Sequence, residues 1–587
     1  LSIHCGGIVI SDETIDSTVP LEEAAKGIAI TQYEMHAIED IGLVKIDLLG
    51  NRALSTIRET VQILKENAEI EIDPETLPED DEATFALVQS GRTLGCCQLE
   101  SPAMRHLLLM LKPHSIRRII QALALIRPAP ASIGMKEAFV RRARGLEETT
   151  FPHPSLVDIL GDTYGIMLYE DDAMLIAARL AGLALDEGDR LRKAIKKSRS
   201  EEEMCRVARY FLKRAAQNGV SPEVASRMWV QMAKFNEYSF CRAHAAGYGL
   251  VAFQSAYLKA HHPAAYMAAA LNNVQGIYPT RVHLWEAKRM GVEVLSPCVN
   301  HSGVEFTYEI IGDCPELNGA IRIGLNQVKD LTQQTMEQIV EKRCSTSFSS
   351  LRDFMQRVRA GLSEIESLIL VGGFDFTGRN RPELVWQARA MFGKLKTRPT
   401  NGTFGNLETD IETPRLPEFS LEQKVNYELQ ILDCPVSAHP VKLVRRRFDR
   451  NPLSPPGESL RKRWQSSPKR TPPPGPLPQG EGGCTEGPER HSQDGFAKAE
   501  DLPQLIGRRV RLIGILDTTR GTLTRNDELM QFLTLEDETG VFEVTLFPKM
   551  YRRVRRLLTD GGPYLVEGKV EDQYDSISVT AHRLERA

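Results

Sequence analysis

Asp47 stands in an otherwise apolar run, GLVKIDLLGN, at residues 42–51. A carboxylate buried without a partner is costly, so one placed there either faces solvent or performs a chemical task on a rigid element. Lys45 has the same strand parity, so on a β-strand the two side chains point to one face. In two-metal phosphoryl transfer the lysine would neutralise phosphate while the aspartate holds magnesium. A salt bridge or a capping carboxylate is the plainer reading, and the pair alone does not choose between them. Two metal ions need at least a second carboxylate, and no upstream D-x-D on a neighbouring strand is visible. The acidic stretch EIEIDPETLPEDDE at 70–83 reads instead as a loop before a helix. A catalytic Asp47 would therefore have its partners ahead of Leu1.

Two further groups have phosphate-binding chemistry. Arg190, Arg192, Lys193, Lys196, Lys197 and Arg199 follow Asp186 closely; Arg192 and Lys196 are four apart, and Arg199 is seven from Arg192. That spacing makes one positive helix stripe, suited to a nucleoside triphosphate or a duplex backbone. A solvated face balanced by Asp186, Glu187 and Asp189 has equal standing. In YSFCRAHAAGYG, Arg242, His244 and Tyr248 sit among small residues that permit close approach by a ligand or by another helix. His244 has no second histidine at a metal-ligand spacing, which disfavours a metal role. Arg141, Arg142 and Arg144 form a shorter basic stretch.

These groups need several domains to hold them, because 587 residues exceed what one core usually organises. Hydrophobic content of 42% with 26% charged residues is that of an ordinary soluble protein, and no apolar run is long enough to span a bilayer. The net charge of −5 excludes a uniformly basic coat but not local basic tracks. Ten cysteines without a CxxC frame point to reduced cytoplasmic thiols. The opening LSIHCGGIVIS reads like the interior of a domain, so an N-terminally truncated fragment is expected.

Residues 1–60 read as short strands and turns, with a helix starting near Arg52. From 85 to 275 the periodicity is helical, with starts at Ser101–Pro102 and Ser221–Pro222, a stop at Gly219 and a break at His262–Pro263. Short strands and turns are expected over 276–345, and a small helical unit with an exit at Gly372–Gly373 over 350–395. The Pro/Gly-rich interval 452–488 reads as a disordered linker or insertion, and the preceding RRRFDR as a flexible basic strap or solvated charge. About five strands after residue 500 suggest an OB-type barrel.

Several of these stretches resemble the bacterial C-family DNA polymerase, the alpha subunit of DNA polymerase III. HCGGIVI with VPLEEAAKGIAITQYEMHAIEDIGLVKIDLLGNRALSTI resembles the end of that family's palm. CQLESPAMRHLLLMLKP, ALIRPAP and FPHPSLVDILGDTYGIMLYEDD resemble its fingers, and FNEYSFCRAHAAGYGLVAFQSAYLKAHHPAAYMAAALNN is the most specific block. The resemblance implies a multidomain α+β chain: palm end at 1–84, helical fingers at 85–275 and a mixed connecting region at 276–345. It then implies a helix-hairpin-helix region at 346–440, a basic and Pro/Gly-rich linker at 441–500 and an OB-fold barrel at 501–587. Asp47 matches the family's third catalytic carboxylate and magnesium ligand, and Lys45 the basic residue beside it. Arg192 and Lys193 match basic fingers residues expected near the incoming nucleotide, and His244 matches a histidine of the fingers block; Lys196, Arg242 and His244 stand beside them, from the reading of the residues themselves, as candidate nucleotide or DNA phosphate contacts. The implied reaction is template-directed addition of deoxynucleoside triphosphates to a primer 3′-hydroxyl on primer-template DNA, with two Mg2+ ions. The ending soon after the barrel resembles the error-prone branch, with translesion synthesis, a sliding clamp, accessory mutagenesis proteins and a nucleoid-associated cytoplasmic location implied. Without a D-x-D pair the fragment is expected not to polymerise alone. The competing expectation is a DNA-binding module with no chemistry.

Overall fold

The computed structural model describes residues 7–24, 27–48, 50–126, 134–197, 200–236, 240–273, 276–311, 319–396, 413–450, 495–524, 526–559 and 561–587. Two compact units are separated between Ser55 and Thr56.

In the first unit, strand β1 (Gly7–Ile10) pairs antiparallel with β4 (Val44–Asp47), and β2 (Leu21–Glu23) with β3 (Ala29–Thr31). A short helix, Met35–Ile41, precedes β4 and buries Ile38, which with Val19 is among its few fully buried side chains. The expected helix runs from Arg52 to Ala68 and spans the boundary between the units.

The second unit is mainly helical, and its helix starts follow local chemistry. Ser101 Oγ accepts the Met104 N–H at 3.2 Å ahead of helix Pro102–Leu111, and Pro102 sets the first turn. Helix Pro222–Asn236 starts the same way after Ser221. His262–Pro263 divides helix Arg242–His261 from Pro263–Asn272, because the proline lacks the N–H that would continue the first helix. The second of these is buried nearly all round and centres one core on Tyr266 and Met267. Phe85 and Phe253 lie in a second core, Phe211 and Trp229 in a third. Each fully buried side chain of this size contributes roughly 1.5–3 kcal/mol.

Beyond these helices, β5 (Glu293–Leu295), β7 (Gly319–Arg322) and β6 (Thr307–Ile310) form a small mixed sheet in that order. Residues 276–345 are not only strands and turns, however. Helices Thr280–Arg289 and Gln333–Ser345 flank the sheet. The first buries six consecutive residues, Val282 to Ala287, so no polar face marks its 3.6-residue period in the sequence. Helices Leu351–Arg357, Leu362–Leu370 and Arg381–Lys396 then make the expected small helical unit.

The basic run before the linker is no strap. It belongs to helix Pro440–Arg450, whose Val441 and Val444 pack against barrel residues Ile513, Ile515 and Leu565. Arg445 is only 8% exposed, with its guanidinium 2.6 Å from Glu538 and 2.8 Å from Asp537. The Pro/Gly-rich interval 452–488 lies outside the described residues.

The chain ends in a closed five-stranded barrel, ordered β10 (Val541–Leu546), β12 (Ser576–Arg586), β11 (Tyr564–Gln573), β8 (Arg509–Leu523) and β9 (Leu529–Glu536). Closure leaves no unpaired sheet edge. Helix Pro548–Val554, between β10 and β11, packs Val554 into the barrel core. The fold is the expected α+β assembly of helical fingers, helical hairpins and an OB-type barrel.

Candidate nucleotide site and nucleic-acid interface

The strand register settles the parity argument for Asp47 and Lys45. Gly7 lies opposite Asp47 and Val9 opposite Lys45, so both residues fall on one face of the β1–β4 ribbon. Ile8, Ile10, Val44 and Ile46 occupy the other face and are exposed. Lys45 is half-buried, while the Asp47 side chain lies outside the described ones. Among the described residues no group of three or more His, Cys, Asp or Glu could hold a metal ion. Two magnesium ions demand more oxygen ligands than one carboxylate supplies, and the described residues hold no cluster that meets that demand. The seven described cysteines are all free.

In the second unit, three predicted residues gather around one helix start. Helix Glu170–Ala181 begins with three acidic residues, and the Glu170 N–H donates to the Phe240 carbonyl at 2.9 Å. That bond brings helix Arg242–His261 alongside. Arg242 lies 5.4 Å over the Tyr169 ring, and its backbone N–H donates to Asp171 at 3.3 Å. His244 is exposed and meets Phe240 and Tyr248 edge-on, at 5.1 and 4.7 Å. From helix Leu185–Lys197, Arg192 reaches Glu170 at 2.6 Å and Asp189 at 2.8 Å. Asp172 turns inward and accepts the N–H groups of Leu168 and Tyr169, both at 2.8 Å. Burial nevertheless pushes its carboxyl up to about 6.

Among the described side chains of the Leu185–Lys197 stripe, Arg190, Arg192 and Lys193 are each paired with a carboxylate. Lys193 pairs with Asp189 at 2.8 Å and Arg190 with Asp186 at 2.6 Å, while the Lys196 side chain lies outside the described ones. Glu170, the partner of Arg192 on a different helix, was invisible to spacing within the stripe.

The small residues of AAGYG serve packing at one position and leave space at another. A Cβ on Gly249 would come within 2.4 Å of Ile120 Cγ1, so this glycine lets helix Arg242–His261 approach helix Ile116–Leu125. Nothing lies within 4 Å of a Cβ on Gly247. Gly249→Val is expected to lower stability by about 1–3 kcal/mol through overpacking, with Gly247→Ala closer to neutral. Urea-unfolding midpoints of the two variants compare them directly.

The helical hairpin turns at Gly372, whose φ of +98° favours glycine. Arg381 secures the turn, donating to both Asp375 oxygens at 2.9 and 2.6 Å and to the Leu370 carbonyl at 2.9 Å. Such hairpins present backbone amides to a phosphate chain.

Sequence reasoning missed the charges that seat the barrel. Arg281, on helix Thr280–Arg289, lies 2.6 Å from Asp517 on β8 and also pairs with Glu536 on β9. Arg289 contacts Glu536 at 3.7 Å. Burial and the neighbouring Glu536 push the Asp517 carboxyl up, against the pull of Arg281. His439, buried among Arg289, Arg281 and Arg445, is driven well below the usual imidazole range by burial and those cations. On another side the two-residue β11–β12 turn meets the fingers. There Asp575 pairs with Arg144 at 2.6 Å, and Ser576 hydrogen-bonds His106, whose imidazole burial lowers to about 4.

Fingers-type helices, a helical hairpin and an OB-type barrel together define a nucleic-acid-handling protein. Four family models match in succession. The model of the bacterial DNA polymerase III alpha NTPase domain covers residues 1–50, and that of the alpha-subunit finger domain residues 53–219. A helix-hairpin-helix motif covers 291–384, and an OB-fold nucleic acid binding domain 510–587. The chain belongs to the bacterial DNA polymerase III alpha-subunit family. It is 30% identical over its whole length to an error-prone DNA polymerase of Symbiobacterium thermophilum, covering 53% of that protein. It is 34% identical over 97% of its length to the DNA polymerase III subunit alpha of Thermus aquaticus, covering 44%, and 30% identical over its whole length to that of Bacillus subtilis, covering 48%. The chain thus spans about half the length of the curated relatives it matches. No helix among the described residues is long and apolar enough to cross a membrane.

Proposed function

We propose that this chain supplies the end of the palm, the fingers, the helix-hairpin-helix region and the OB barrel of a DNA-directed DNA polymerase. The observation that carries this reading is the full-length similarity to polymerases, with the family models following one another along the chain. The reaction is attack of a primer 3′-hydroxyl on the α-phosphorus of a deoxynucleoside triphosphate, with pyrophosphate leaving. In this reading Arg192 and Arg242 face nucleotide or DNA phosphates from either side of the Glu170–Ala181 helix start, and His244 and Lys193 lie beside them. Arg192 would exchange Glu170 for phosphate on binding. Asp47 would contribute one carboxylate to a two-magnesium centre and Lys45 would offset phosphate charge. No step is assigned through the ions, since the described residues hold no cluster of ligands for them.

Error-prone translesion synthesis is the branch proposed, supported by the similarity to the Symbiobacterium error-prone polymerase. A sliding clamp, accessory mutagenesis proteins and a nucleoid setting belong to the same reading, and co-purification from damaged cells tests the partners.

The isolated chain is expected to bind primer-template DNA without extending it. A gel-shift assay and a primer-extension assay on one preparation check both halves. Extension by the isolated chain would overturn the proposed inactivity, and failure to bind DNA would overturn the polymerase reading itself. The second reading, a DNA-binding module that never takes part in synthesis, is favoured by the absence, among the described residues, of a cluster able to hold a metal ion. It predicts no extension even after a palm segment carrying a D-x-D pair is supplied.

A further inference from the structure

The barrel meets the helical body across a seam whose charges are buried rather than solvated. Asp517 stands at a break in the β8–β9 register, between Leu516, which faces Leu535, and Thr518, which faces Thr534. A bulge of this kind leaves one residue out of the ladder and re-aims its side chain. Here the carboxylate turns onto Arg281, which also donates to the Leu516 carbonyl at 3.1 Å and pairs with Glu536 of β9. Two acids thus share one guanidinium, and their side chains are 0% and 1% exposed. Arg289 stands 3.7 Å from Glu536 and is itself paired with Glu286 at 3.4 Å. Glu536 Oε2 has no hydrogen-bond partner among the described residues.

The charged groups on the surrounding elements are engaged elsewhere. Arg445 is taken up by Asp537 and Glu538, Glu286 by Lys259, and Lys288 donates to the Val436 carbonyl. His439 Nε2 lies 4.0 Å from Glu536, but burial and the nearby arginines keep the imidazole neutral, so it lends the pair no positive charge. Tyr278 faces Asp517 and Arg105 from ahead of helix Thr280–Arg289. Glu543 of β10 has the same parity as Val541, which packs against Leu94, Tyr278 and Val282, and so points into the seam as well. Burial pushes its carboxyl up to about 7. Two carboxylates confined to one arginine repel each other, and in a buried site a proton on one of them relieves the repulsion.

We propose that the barrel is seated by a proton-linked joint, in which Asp517 and Glu536 carry one shared proton on Arg281 and losing it loosens the barrel from helix Thr280–Arg289. The joint is independent of the polymerase reading. Its sign follows from the two states. Unseated, Asp517 titrates near 3.8, so seating takes up a proton above that pH. Seating also keeps His439 neutral and so gives up a proton below about 6.5, which cancels the uptake there. Above that value only the uptake remains, and the seat weakens as pH rises, by at most about tenfold per pH unit for one proton. Glu543 contributes with the same sign between 4.5 and about 7.

Trp285 reports on the seam, since its ring meets His439 edge-on at 4.7 Å and Lys288 lies 4.6 Å from it. The test follows Trp285 emission of the full chain through urea series from about pH 7 to about pH 9, with Trp285→Phe as the blank. The wild-type midpoint is expected to fall as pH rises, and the fluorescence change to precede the loss of helical circular dichroism. Asp517→Asn keeps the shape without the charge, so its midpoint should stay level and exceed the wild-type value at the alkaline end. Glu536→Gln also leaves a single acid on Arg281 and should behave likewise, which keeps the test decisive if one variant fails to fold. Glu543→Gln should retain the alkaline fall. A level wild-type midpoint would overturn the joint, as would a wild-type fall that persists in both Asp517→Asn and Glu536→Gln. Loss of the fall in Glu543→Gln would also overturn it, by placing the proton on β10. Coincident fluorescence and circular dichroism transitions in the wild type would do the same, because the pair would then act on global stability and not on the seat.

Discussion

Replacing Lys259 with methionine should destabilise the second unit by about 3–5 kcal/mol, the usual cost of stranding one member of a buried ion pair. Lys259 is fully buried, and its ammonium donates to the Arg92 carbonyl at 2.7 Å, the Leu94 carbonyl at 2.8 Å and Glu286 Oε1 at 2.8 Å. Its three donors thus meet three acceptors. Methionine fills similar space but leaves two carbonyls without this donor and Glu286 with Arg289 as its remaining ion-pair partner, at 3.4 Å. Burial alone would raise the Glu286 carboxyl, yet Lys259 and Arg289 together hold it down to about 2. The sign follows directly. The unfolded chain takes up the proton first as pH falls, so this stabilisation is whole above about 4.5 and is lost between there and about 2. In Lys259→Met the carboxyl protonates more readily, so the deficit should be smaller near pH 4 than near pH 7. Urea unfolding at the two pH values measures it, and Lys259→Met with Glu286→Gln should recover part of the loss. An unchanged midpoint at pH 7 would show that the pair contributes nothing.

The second large effect concerns catalysis. In a polymerase completed with a palm segment carrying a D-x-D pair, Asp47→Asn should cut nucleotide incorporation about a thousandfold or more. The amide keeps the shape of the carboxylate but not its charge, so primer-template affinity should stay within about threefold, a change worth less than 1 kcal/mol. Single-turnover incorporation and DNA binding, measured on the same preparations, separate the two. Incorporation near the parental rate would remove Asp47 from the active centre; a matching loss of DNA affinity would assign it a structural task instead. Lys45 shares its face of the ribbon, so Lys45→Met should act mainly on nucleotide use rather than on DNA affinity.

Local chemistry was legible in the amino-acid sequence. Ser101–Pro102, Ser221–Pro222 and His262–Pro263 mark helix boundaries because a cap or a proline acts within one turn of itself. Alternating apolar residues announced the barrel strands for the same reason, since their period is two residues. The parity of Lys45 and Asp47 needed nothing more.

Charge partners were another matter. Arg192 looks like a free phosphate ligand until Glu170 arrives from another helix. Helix Thr280–Arg289 and its Arg281, and the burial of Arg445, depend on a barrel more than two hundred and about ninety residues further on, respectively. An ion pair or a buried lysine is set by which surfaces meet, and those contacts span separations over which no periodic pattern runs. The sequence by itself determined the modules, the helix boundaries and the strand face that carries Asp47. Only the tertiary structure decided which cations are already neutralised and which remain open to a ligand, because electrostatic partnership depends on distance in space rather than along the chain.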